Sequence, residues 1–101
     1  MKDNVKEFRE IAEQICNLYE KKNAAYGDSF GQTYDKFRKY GIISAATRIS
    51  DKYNRLCNLP ISEDIDDLGE SIIDTLMDLA AYSIMTIVKY NEHEQQNQKK
   101  D

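Results

Sequence analysis

Apolar residues recur along this chain at intervals of three and four, and polar stretches divide the recurrences into segments. That period is the signature of helices with one buried face. Phe8, Ile11, Ala12, Ile15 and Tyr19 mark a first helix over about residues 4–22, opened by the capping-box pair Asn4 and Glu7. The polar stretch that follows holds Gly27 and Gly31, which predicts a shaped loop over 21–31. A short helix is expected over about 33–40, closed by Gly41 at its C′ position. Ile42, Ala45, Ala46, Ile49, Tyr53 and Leu56 form one face of a third helix over about 42–58, and Arg48, Asp51, Lys52 and Arg55 form another. Pro60 lies in the next connection.

The fourth helix begins near 65–68 and is expected to reach about 92. Its apolar arc runs through Ile72, Ile73, Leu76, Met77, Leu79, Ala80, Ile84 and Ile87, wider than one neighbouring helix would cover. A helix apolar over so much of its circumference is central in a bundle or shared between subunits. The pattern therefore predicts an all-α, four-helix bundle that assembles through its long C-terminal helix, as a homodimer or homotetramer. Residues 1–92 make the single domain, and 93–101 a polar tail expected to fray.

One departure from that apolar pattern carries the chemistry. Glu70, Asp74 and Asp78 fall at i, i+4 and i+8 and make one acidic stripe on the fourth helix. Like charges at this spacing repel, so the stripe needs something positive against it. A divalent cation such as Mg²⁺ is one answer, with Asp51 of the third helix completing the cage. Arg48 and Arg55 pairing with Asp74 and Asp78 is the other, and Glu70 has a further bland role as the capping-box partner of Asp67.

Charge is segregated along the chain. From 36 to 55 there are six basic residues and one acid, and from 62 to 78 there are seven acids and no base. The two stretches are expected to face each other. Arg48, Lys52 and Arg55 suit phosphates, as do Lys22 and the glycine-exposed amides of the 21–31 stretch, which also offers Asn23, Tyr26, Asp28 and Ser29 to a ligand. Tyr26, Tyr53 and Tyr82 are candidate stacking surfaces for a base, although tyrosines at helical spacing are more often core.

Composition narrows the classes. At 101 residues the chain is one domain with a modest core, and 41% hydrophobic with 32% charged residues is a globular balance. The formal net charge of −4 argues against a duplex nucleic-acid binder. Cys16 and Cys57 read as reduced core thiols of a cytosolic protein, and neither a signal peptide nor a membrane span is expected. His93 is the only histidine and falls in the polar tail, which removes histidine-based triads.

Three blocks in order, KKNAAYGDSF, RISDKYNRL and ESIIDTLMDLAAYSIM, resemble the phage-rich nucleotide modification associated domain family, the first of that name. More distantly the chain is similar to the MazG and dimeric dUTPase group of all-α nucleoside triphosphate pyrophosphohydrolases. In those enzymes an ExxE helix and a later ExxD helix hold Mg²⁺ against the triphosphate, and water releases monophosphate and pyrophosphate. The resemblance implies that Asp51, Glu70, Asp74 and Asp78 are the metal and catalytic set, and that the enzyme works in the cytoplasm of a bacterial host. It also departs from that pattern: the acids of the later helix are spaced by four, and Arg48 stands where a partner acid is expected. Two functions follow as expectations. One is Mg²⁺-dependent hydrolysis of a modified or non-standard nucleoside triphosphate. The alternative is an oligomer that captures a nucleotide-derived ligand, such as a host immune signal, without cleaving it.

Overall fold

The computed structural model describes residues 3–59 and 65–99, with side chains from 72 to 98 in the second stretch. Four α-helices are placed, α1 (Asn4–Tyr26), α2 (Ser29–Lys36), α3 (Gly41–Cys57) and α4 (Ile65–Lys99), with one 3-10 turn at Arg38–Tyr40. No strand occurs among the described residues. The all-α class read from the period of three and four is therefore what forms.

Helix α1 starts at Asn4 as expected, but its cap lies one residue earlier. Asp3, not Asn4, is the N-cap, and its Oδ1 accepts from the backbone N–H groups of Val5 and Lys6, each at 3.1 Å. The helix also runs on past Lys22 to Tyr26, so most of the expected 21–31 loop is helical. Only Gly27 and Asp28 separate it from α2. Gly27 has φ 76° and ψ −179°, a combination open essentially to glycine alone, and it turns the chain sharply. Asp28 then caps α2, its Oδ1 accepting from Gly31 N at 3.0 Å.

Gly41 was expected to close the short helix in a left-handed conformation. Instead its φ is −57°, and it is the first residue of α3. It is glycine because of a close approach: a Cβ there would lie 2.5 Å from both the ring and the carbonyl oxygen of Tyr34. The left-handed residue is Arg38, at φ 54°.

The core sits where α2, α3 and α4 meet. Phe30, Tyr34 and Ala45 are buried there, with Tyr82 and Met85 of α4 packed against them. Ile15 is the buried contribution of α1. Helix α1 runs antiparallel to α4, since Lys22 pairs with Asp78 while Ala12 and Val88 wall one cavity. The far end of α4 is pinned as well. Asp35 of α2 accepts from Lys89 at 2.8 Å and meets His93 Nε2 at 2.7 Å, and the His93 ring lies edge-on to Tyr34. Helix α4 runs on through Lys99, beyond the end expected near 92.

Much of the apolar surface stays open. The third helix buries Ala45 but leaves Ile42 and Tyr53 exposed, and both cysteines, expected in the core, are exposed. The radius of gyration is 16.3 Å. A compact chain of this length has about 13 Å. The chain is accordingly extended, 57 by 32 by 26 Å. Among the described residues no helix is long and apolar enough to cross a membrane.

Candidate functional site

The antiparallel α1–α4 pair does not close on itself over its length. Towards the C-terminal end of α1, a cavity of about 240 Å³ opens between α1, the Gly27–Phe30 corner, α3 and α4. Its polar lining is Lys22, Asn23, Asp28, Arg48 and Asp78, and its apolar lining includes Ile15, Leu18, Phe30, Ala81 and Met85. Tyr19 and Tyr82 also face it, and Tyr26 stands at its edge, 84% exposed.

Asp78 is the electrostatic centre. Its Oδ2 accepts from Lys52 Nζ at 2.9 Å and its Oδ1 from Lys22 Nζ at 3.4 Å. Burial pushes this carboxyl upward, but the hydrogen bonds and positive charge of Lys52 and Lys22 outweigh burial and hold it below the ordinary aspartate value. Two ammonium groups share one carboxylate, so the cluster is net positive. Arg48 adds to it, because no described carboxylate pairs with its guanidinium. That guanidinium instead lies over the Phe30 ring, 5.9 Å from the centroid. Phe30 in turn stacks on Tyr82, with centroids 5.5 Å apart and planes 12° from parallel. A cationic group, two stacked rings and a doubly bridged carboxylate thus share one wall.

Of the residues singled out in the sequence, Lys22, Tyr26, Asp28, Arg48, Asp78 and Tyr82 come together here, and Lys52 joins through its bond to Asp78. Asp28 arrives in a structural role, as the cap of α2. Asp51 does not join. It lines an adjoining cavity with Phe37, Tyr40 and Thr47, and Arg48 reaches both spaces. Arg55 and Asp74 line neither cavity, and the Glu70 side chain lies outside the described residues. The arginine-to-aspartate network considered for α3 and α4 is replaced by lysine pairs. Helix geometry explains both results. Lys52 and Arg48 are four residues apart and share a face, while Asp51 is turned about 100° from Lys52.

Of the four acids expected to hold Mg²⁺, three have described side chains, Asp51, Asp74 and Asp78. Beside Asp78, α3 places the ammonium group of Lys52. Among the described residues no three acidic, histidine or cysteine side chains converge on one point. Lys22, Lys52 and Arg48 stand with Asp78 and Asp28 on this wall, an excess of one positive charge.

The aromatic wall residue Phe30 is not among the candidates named from the sequence; it lies in the stretch taken for a loop. The signal for Phe30 was an aromatic residue set among polar ones, between Ser29 and Gly31.

No curated protein and no solved structure matches the chain. Its residues 22–90 match the family described as nucleotide modification associated domain 1. That span begins at the lysine that reaches Asp78 and contains all of the polar cavity wall. The chain belongs to the nucleotide modification associated domain 1 family.

Proposed function

We propose that this protein binds a nucleoside phosphate or nucleotide-derived small molecule in the α1–α4 cavity and holds it intact. The observation that carries this reading is Asp78 held by both Lys22 and Lys52 beside Arg48, which pairs with no described carboxylate. Lys22, Lys52 and Arg48 outnumber the carboxylates of Asp78 and Asp28, which supports an anion at this wall. Phosphate oxygens would accept from Lys22, Lys52 and Arg48. The base would lie against the Tyr82–Phe30 stack or under Tyr26, and Asn23 offers the donor and acceptor of an amide to its edge. The cavity suits a mononucleotide-sized group rather than a duplex. The family description points the same way. The protein acts, on this reading, in the cytoplasm of a bacterial host, where capture of a nucleotide signal is one use.

A second reading is hydrolysis of a nucleoside triphosphate with Mg²⁺ held by Glu70, Asp74, Asp78 and Asp51. The position of Asp78 on the cavity wall, one helical turn beyond Asp74, favours it. It requires Lys22 and Lys52 to leave Asp78, and Asp51 to turn in from the adjoining cavity that Arg48 also lines.

One experiment separates the two. Purified protein is mixed with a panel of nucleotides with Mg²⁺ or with chelator, then denatured, and the released molecules are identified by mass spectrometry. Intact nucleotide, retained equally in chelator, supports capture. Monophosphate and pyrophosphate formed only with Mg²⁺ would establish hydrolysis and overturn the first reading.

A further inference from the structure

Arg48 serves two spaces. It lines the α1–α4 cavity and also the adjoining cavity of about 400 Å³ between α2 and α3. The two differ in chemistry. Lys22 and Arg48 give the first a wall of donors, with Lys52 joined through Asp78. The second offers acceptors. The hydroxyls of Thr33, Ser44 and Thr47 donate to carbonyl oxygens of their own helices, at 2.8, 2.7 and 2.9 Å. Each hydroxyl therefore has only lone pairs left for a ligand. Asp51 pairs with no described cation, and as a carboxylate it can only accept. Such a space disfavours an anion and suits a group rich in O–H and N–H donors. It also holds an open ring. Lys39 Nζ already lies over Tyr40, 5.0 Å from its centroid, which leaves Phe37, 51% exposed, as the stacking surface.

We propose that the captured ligand is a dinucleotide, two nucleosides joined through phosphate. The phosphate lies on Arg48, one base on the Tyr82–Phe30 stack, and a ribonucleoside in the α2–α3 cavity. This deepens the capture reading and rests on it. The order of the groups decides the class. A mononucleotide carries its phosphate at one end, so it fills one cavity and leaves the other in water. A dinucleotide carries phosphate in the middle with a nucleoside on each side. That is the order in which the two cavities meet at Arg48.

Size and spacing agree. A site for a drug-sized ligand encloses roughly 300–1,000 Å³. The first cavity alone, about 240 Å³, falls short of that range, and the two together lie inside it. Asp51 is three residues from Arg48, about one helical turn, so the carboxylate stands beside the phosphate position as a sugar stands beside its phosphate. There it accepts from the ribose hydroxyls, as carboxylates do in dinucleotide sites. The second base then lies against Phe37.

Titration calorimetry in chelator compares ribonucleoside monophosphates with ribodinucleotides linked 2′,5′, 3′,5′ and 5′,5′. At least one dinucleotide should bind about tenfold or more tightly than its component monophosphates, the worth of one further stacked base. Phe37→Ala, at an exposed position, should bring that dinucleotide down to the monophosphate's affinity and leave the monophosphate unchanged. Asp51→Ala should erase a preference of about fivefold for ribose over deoxyribose. The ratio is read because removing a negative charge near the phosphate strengthens both forms alike. Dinucleotides that bind no tighter than monophosphates overturn the inference while capture stands. So does an advantage that survives Phe37→Ala, and a ribose preference that survives Asp51→Ala overturns the placing of the sugar. Failure of every nucleotide to bind overturns capture itself, and the inference with it.

Discussion

Asp78→Asn separates an anion site from a metal site, because the two assign opposite signs to the same change. In the folded chain the Asp78 side chain is 23% exposed, that of Lys52 27%, and that of Lys22 54%. The Lys22 pair is mostly in solvent and contributes little. The Lys52 bond is charge-assisted and half-sheltered, so its loss costs about 1 kcal/mol. For a domain of this size that is a fall in Tm of roughly 4–8 °C. The pH dependence follows from the direction of the shift. The folded carboxyl titrates below its unfolded value of 3.8, so its contribution is fully present above that value. It is lost as pH falls through the lower, folded value. Wild type should thus melt above the variant at neutral pH, and the gap should close in acid.

The same substitution removes one negative charge from the phosphate wall. At about 7 Å and an effective dielectric of about 40, that repulsion is about 1 kcal/mol, or roughly fivefold in Kd. Isothermal calorimetry with a nucleoside triphosphate in chelator should therefore show tighter binding to Asp78→Asn, an effect that fades in high salt. Weaker binding in chelator would refute the anion-site reasoning. Equal melting of the two proteins at neutral pH would refute the assigned ion pairs.

Three further outcomes follow from the geometry. Tyr82→Leu keeps apolar bulk over Phe30 but removes the stacked ring, so nucleotide affinity should fall about tenfold while stability falls by only about 1 kcal/mol, read by titration and by thermal melting. Gly41→Ala forces a methyl group into Tyr34 and should cost about 1–3 kcal/mol in chemical denaturation, even though alanine is the better helix former. His93→Ala breaks the clasp on Asp35, whose carboxyl is held low by its hydrogen bond to His93 and then by Lys89. Because Asp35 is half exposed the cost should stay under about 1 kcal/mol, confined to faster amide exchange in the last turns of α4, and it should vanish in acid as Asp35 protonates below its ordinary value of 3.8.

The sequence by itself determined the helical class and named most of the charged residues that line the α1–α4 cavity. Period is a local property: Ile42 to Leu56 and Ile72 to Ile87 repeat at three and four, and a helix is the structure that gathers such positions. Residue chemistry is equally local, so Lys22, Arg48, Lys52, Asp78 and Tyr82 could be nominated by type and face alone. Pairing is not local. Lys22 and Asp78 are 56 residues apart, and which cation meets that carboxylate depends on the rotation of α3 and α1 about their axes. That rotation turns Lys52 toward α4 and sends Asp51 into the adjoining cavity, a difference of one residue in sequence and about 100° in space. The two-residue Gly27–Asp28 corner was hidden for a related reason. It rests on one backbone angle and one cap bond, and those let Phe30, set among polar neighbours, turn inward as part of the core. His93 reads as a tail residue until α2 stands beside it with Asp35 and Tyr34 in place. Only the tertiary structure decided these partnerships, because each joins residues whose distance is set by packing and not by the chain.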